Sequence, residues 1–95
     1  MLLIHIIWKP TFVEKLAAKH GVSVTEVEEI LDAKPLIRKI AKGNVKDEHV
    51  YAAYGQTIAG RYLVIFYIRK TVGAVLPISA RDMDRSERRY YEREK

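Results

Sequence analysis

EHVYAAYGQTIAGRYLVIFYIRKTVGAVLPISAR, residues 48–81, has left the helical period for one closer to two, with breaks at Thr57 to Gly60 and at Lys70 to Gly73. Extended runs over 48–56, 60–69 and 73–80 fit between these turn residues. A further run, 36–41, precedes them across Gly43-Asn44. Connections this short leave no room for the crossovers that parallel strands require, so the stretch predicts an antiparallel meander.

Toward the N-terminus the period lengthens to that of a helix. Phe12, Val13, Leu16 and Ala17 form an apolar stripe over about Thr11 to His20, with Pro10 suited to the first turn and Gly21 to the left-handed cap. Ser23 and Glu26 have capping-box spacing and Val22 and Val27 have staple spacing, so a second helix starts here and ends near Pro35. Residues 2–8, rich in Leu and Ile, read as a first strand. Beyond the meander, the Asp84 to Glu87 spacing starts a last helix. The fold class is α+β: an N-terminal strand, two helices, a meander sheet and a C-terminal helix, in one domain spanning 1–95.

Ninety-five residues at 48% hydrophobic content leave room for one modest core and no deep internal chamber. Any site therefore lies on a surface or in a shallow groove. The absence of cysteine excludes a disulfide framework, a thiolate zinc site and a cysteine nucleophile, and three well-separated histidines argue against a metal centre. No cofactor is expected. The apolar opening MLLIHIIW has no basic leader and stops at Lys9-Pro10, so we expect no membrane segment and a cytoplasmic protein.

The net charge of +5 favours a polyanionic partner, and its placement says more than its size. Residues 36–81 hold eight Lys and Arg against two acids, whereas residues 1–35 are net −1 and residues 82–95 are neutral. If each hairpin turns at its glycine-rich centre, odd-numbered residues share one sheet face and even-numbered residues the other. The even face, with Val50, Ala52, Tyr54, Val64 and Phe66, is the expected partner of the helix stripes. The odd face mixes aromatics with cations. There Arg61 lies opposite Arg81, with Ser79 nearby, while Lys39, His49 and Tyr67 form a row with Arg69 one step along. Eight residues of strand put Arg61 and Arg69 roughly 26 Å apart, so they serve separate clusters.

Phosphodiester cleavage without a metal needs a group that exchanges protons near neutral pH and fixed cations for the charge that builds on phosphate. His49 is the proton-transfer candidate. Arg61 and Arg81 are the phosphate ligands, because two like charges across a ladder are unfavourable without an anion between them. Lys19, Lys39, Tyr67, Arg69 and Ser79 extend the nucleic-acid track. His20 is assigned to the C-terminal end of its helix, His5 and Trp8 to the core, and Tyr90 and Tyr91 to packing the last helix.

Trp8-Lys9-Pro10, Lys19-His20-Gly21-Val22-Ser23, Gly60-Arg61, Ile78-Ser79-Ala80-Arg81 and Glu87-Arg88-Arg89-Tyr90-Tyr91-Glu92, in this order, resemble the BrnT family. Those are ribonuclease toxins of type II toxin-antitoxin systems, related in fold to the RelE and ParE toxins. The resemblance spans essentially the whole chain. It implies a RelE-like fold, action on RNA, and neutralisation by a BrnA-like antitoxin, with operator DNA bound only through that complex. Lys19, His20, Arg61, Ser79 and Arg81 fall on family motif positions. The alternative is a non-catalytic module that binds nucleic acid or protein on the same fold.

Overall fold

The computed structural model describes residues 5–41, 49–71 and 73–95. Strand β1 (His5–Ile6) leads into helix α1 (Pro10–Lys15), which widens into a π-helical stretch over Leu16–His20. Gly21 ends that stretch at φ 59°, a left-handed conformation that costs glycine little. Helix α2 (Val24–Asp32) starts at the expected capping box: the Glu26 amide donates to Ser23 Oγ at 3.1 Å and the Ser23 amide to Glu26 Oε1 at 2.9 Å. Strands β2 (Leu36–Ala41), β3 (Val50–Gln56), β4 (Tyr62–Thr71) and β5 (Ala74–Asp82) follow, then helix α3 (Arg85–Glu94), capped by Asp84 and Glu87.

The chain is α+β with a five-stranded mixed sheet in the order β1-β5-β4-β3-β2. Strands β2 to β5 form the expected antiparallel meander. Strand β1 adds to its edge parallel to β5, pairing His5 with Ala74 and Ile6 with Val75. Of the first strand expected over 2–8, residues 2–4 lie outside the described residues, as does the Gly43-Asn44 turn. His5 is exposed, against expectation, because strand alternation turns its neighbour Ile6 into the core.

Both faces of the sheet are covered, and the assignment of faces is the reverse of the one expected. Odd-numbered Ala53, Leu63, Ile65 and Tyr67 pack under α1 and α2, against Phe12, Leu16, Val22, Val27, Ile30 and Leu31. Even-numbered Ala52, Tyr54 and Val64 meet Met83 and the α3 residues Tyr90 and Tyr91. The odd-face cations that suggested an open surface belong to the strand ends. Lys39 and Arg69 are exposed and Arg61 precedes β4, so they mark a rim around a buried face.

The register also moves. Lys39 pairs with Tyr51 and Tyr51 with Tyr67, so Tyr51 occupies the middle position expected for His49. On the β4–β5 ladder Phe66 pairs with Ser79 and Tyr67 with Pro77, which leaves Ile78 as an extra residue. Pro77 has no N–H for the ladder, and a bulge is where a strand accommodates that. The extra residue flips the facing of everything after it. Arg81 therefore pairs with Val64 on the α3 face, and Asp82 pairs with Leu63 on the face of α1 and α2. The expected Arg61–Arg81 juxtaposition does not form.

Candidate nucleic-acid interface

Each of the two arginines expected to hold phosphate has a carboxylate instead. Arg61 follows a tight loop fixed by the Thr57 amide donating to the Arg61 carbonyl at 2.8 Å and the Arg61 amide donating to Thr57 Oγ1 at 2.9 Å. Its guanidinium then meets Asp82 side-on, Nε to Oδ1 at 2.8 Å and Nη2 to Oδ2 at 3.0 Å. Nη1 donates to the Gly21 carbonyl at 2.8 Å and to Glu26 Oε1 at 3.3 Å, and Nη2 donates to the His20 carbonyl at 2.8 Å. Those contacts use all five N–H groups of the guanidinium. Helix ends leave carbonyls without intrahelical partners, and Arg61 satisfies two of them where the π-helical stretch closes. The hydrogen bond from Arg61 is the main reason the Asp82 carboxyl sits below its ordinary range, with burial opposing it and the His20 charge adding to it.

Arg81 is held at the root of α3. Its Nη1 and Nη2 meet Glu87 Oε1 and Oε2 at 2.7 and 2.9 Å, Nη1 also donates to the Asp82 carbonyl at 3.1 Å, and the guanidinium lies 5.3 Å from the centre of the Phe66 ring. Arg61 and Arg81 thus do not face each other, and each is paired with an acid of the chain. Sequence reading missed these partners. Glu26 and Glu87 both belong to capping boxes, and in each the carboxylate that caps the helix also reaches an arginine outside it, Arg61 just before β4 and Arg81 near the end of β5.

The cationic surface without such partners lies elsewhere. A groove of about 140 Å³ runs between the π-helical stretch and β5, lined by Phe12, Lys15, Leu16, Lys19, His20, Ile78, Ser79 and Ala80. It adjoins a second hollow of about 290 Å³, sharing Phe12, Lys15 and Ile78, that adds Lys9, Thr11, Leu76 and Pro77. Among the described residues no carboxylate lines either part. Lys9, Lys15, Lys19 and His20 are exposed, and Ser79 is half-buried on the strand opposite. Of the sequence candidates, Lys19 lies on its wall; Ser79 borders it on β5, but its pairing with Phe66 turns its side chain to the α3 face. Lys15 and Lys9 were overlooked; the signal for Lys15 was its i, i+4 spacing with Lys19, while Lys9 precedes the helix as its N-cap.

The remaining candidates sit at the far end of β4. Tyr67 is 7% exposed in the main core, stacked on Tyr51 at 5.6 Å, and burial pushes its phenol pKa up. Arg69 is exposed and lies 5.3 Å from the centre of the Tyr51 ring. Lys39 is exposed on the outer strand β2, and half-buried His49 directly precedes β3. These residues form a rim separated from His20 and Arg61 by the length of β4. Among the described residues no group of three or more His, Asp or Glu could hold a metal, and no helix is long and apolar enough to cross a membrane.

A small basic chain with both sheet faces covered carries a lysine-lined groove along one edge, a surface whose charge suits a polyanion. Residues 8–87 match the family described as ribonuclease toxin, BrnT, of type II toxin-antitoxin system. The chain belongs to that family, whose members are ribonuclease toxins paired with an antitoxin. No curated protein is a significant match.

Proposed function

We propose that this toxin is one RelE-like domain that binds RNA along the groove between α1 and β5 and cleaves it there without a metal. The single observation that carries this reading is the groove: Lys15, Lys19 and His20 converge on it and, among the described residues, no acid lines it. Phosphate contacts from Lys9, Lys15 and Lys19 position the strand. The 2′ oxygen attacks the neighbouring phosphorus as His20 accepts its proton. The bond to the 5′ oxygen breaks, that oxygen takes a proton from solvent, and a 2′,3′-cyclic phosphate and a 5′ hydroxyl remain. Lys19 stabilises the charge that develops on the phosphoryl oxygens. His20 takes the role first considered for His49, because it stands beside the lysines of the groove. Arg61 acts as a positioning residue, fixing the backbone that carries His20.

The setting of this activity is cytoplasmic. A BrnA-like antitoxin neutralises the toxin, and operator DNA is bound through their complex. The test is to incubate the purified protein with RNA in EDTA and map the product ends. The expected result is cyclic-phosphate and 5′-hydroxyl ends, with His20→Gln slowing cleavage by roughly 10² to 10⁴ while leaving RNA binding intact. Binding without cleavage in the wild type would instead establish the non-catalytic module, a reading favoured by the consumption of Arg61 and Arg81 in ion pairs.

A further inference from the structure

None of the residues of helix α3 is buried. It is held by Tyr90 edge-on to Tyr54 at 5.3 Å, by Tyr91 edge-on to Tyr62 at 6.0 Å, by Arg88 at 3.9 Å from the centre of the Tyr62 ring, by Arg38 at 5.0 Å from that of Tyr90, and by the Arg81–Glu87 pair. Beneath its first turn the sheet gathers a set of groups suited to a nucleotide. Arg81 lies over Phe66, and Arg38 hydrogen-bonds Tyr54, whose phenol also feels the charge of Glu87. The Glu87 carboxylate meets Arg81 through two parallel hydrogen bonds, the geometry in which a guanidinium also grips two oxygens of a phosphate.

We propose that Glu87 occupies a latent phosphate site on the α3 face of the sheet, and that an RNA phosphate replaces its carboxylate on Arg81 when the first turn of α3 lifts. This site rests on the reading of the chain as an RNA-binding toxin, and it lies on the opposite face of the sheet from the lysine groove. It explains how Arg81 can be fully committed in the free protein and still contribute to RNA binding. The intramolecular carboxylate competes with the phosphate, so apparent affinity is reduced by the fraction of molecules in which Arg81 is covered.

The test measures binding of a single-stranded 2′-O-methyl oligonucleotide, which cannot be cleaved, at about 0.1 M salt. Glu87→Gln is expected to tighten binding about fivefold, because it frees Arg81 in a larger fraction of molecules. In an Arg81→Gln background the same change is expected to have little effect, although it removes the same negative charge. Tyr90→Ala, which loosens α3 without touching the ion pair, is expected to tighten binding as well. An unchanged affinity in Glu87→Gln, or an equal gain with and without Arg81, overturns the proposal. Failure of the groove reading shows separately, as an oligonucleotide affinity insensitive to Lys15 and Lys19.

Discussion

Arg61 and Asp82 meet side-on, through hydrogen bonds of 2.8 and 3.0 Å, at the point where the end of β5, the start of β4 and the end of the π-helical stretch converge. Because the same guanidinium also takes the His20 and Gly21 carbonyls, its loss strands acceptors on three elements. Arg61→Ala is expected to destabilise the fold by about 2 kcal/mol, less than for a fully buried pair because Asp82 is largely solvated. Arg61→Lys retains the charge and recovers only part of this, since an ammonium cannot span the fork. Urea denaturation of the two variants checks the order; equal stability of both with the wild type would mean that the clasp holds nothing.

Gly55 lets α2 approach β3. A Cβ there would stand 3.1 Å from both Cδ1 and Cγ2 of Ile30, a side chain 1% exposed in the centre of the core. Neither side can yield freely. Gly55→Ala is expected to cost about 1 to 3 kcal/mol through overpacking, and Ile30→Val in the same chain to recover part of the loss. Denaturation midpoints of the single and double variants decide this, with simple additivity counting against a direct clash.

Much of the fold was legible, and the exceptions have physical causes. Capping boxes are local, so Ser23-Glu26 and Asp84-Glu87 located two helix starts from spacing alone. The meander was legible from its short turns. The faces were not, because a sheet covered on both sides shows apolar residues at odd and even positions alike, and cations at strand ends imitate a polar face. The Arg61–Arg81 pairing failed because the β4–β5 ladder runs two residues from the expected register, as Tyr67 opposite Pro77 shows, and the extra residue at Ile78 then turns Arg81 to the other face. Of the residues lining the groove, Lys19 was singled out from sequence, while Ser79 borders it with its side chain turned to the α3 face. The groove itself depends on how α1 lies against β5, a long-range relation that no local pattern encodes.

The ion pairs set how stability responds to acid. The Glu87 carboxyl lies below its ordinary value of 4.5, first because of the Arg81 hydrogen bonds, with burial opposing them, and Asp82 is lowered in the same way by Arg61. A carboxylate depressed in the folded state contributes stability that is fully present above its unfolded pKa and is lost as pH falls through the folded one. Stability is therefore expected to be level from neutral pH down to about 5 and to fall below that, through and beyond the ordinary carboxylate range. Glu87→Gln should flatten part of that acid slope while leaving the Asp82 part. Denaturation curves from pH 7 to pH 3 provide the check, and an identical slope in the variant would count against Glu87 as a contributor.

The lysine groove makes a quantitative claim about RNA. Lys15 and Lys19 are exposed and lie one helical turn apart on its wall, so neutralising them removes phosphate contacts without touching the core. Lys15→Gln with Lys19→Gln is expected to reduce the salt slope of single-strand binding by about 1.4, two contacts at about 0.7 each, and to slow cleavage in proportion to lost occupancy. Equal removal of charge at Arg85 and Arg89, exposed on α3, is expected to leave the slope nearly unchanged. The contrast separates a defined track from diffuse attraction by a basic protein, since diffuse attraction would make the two double variants lose affinity alike. Unaltered denaturation midpoints in both would confirm that the difference arises at the interface.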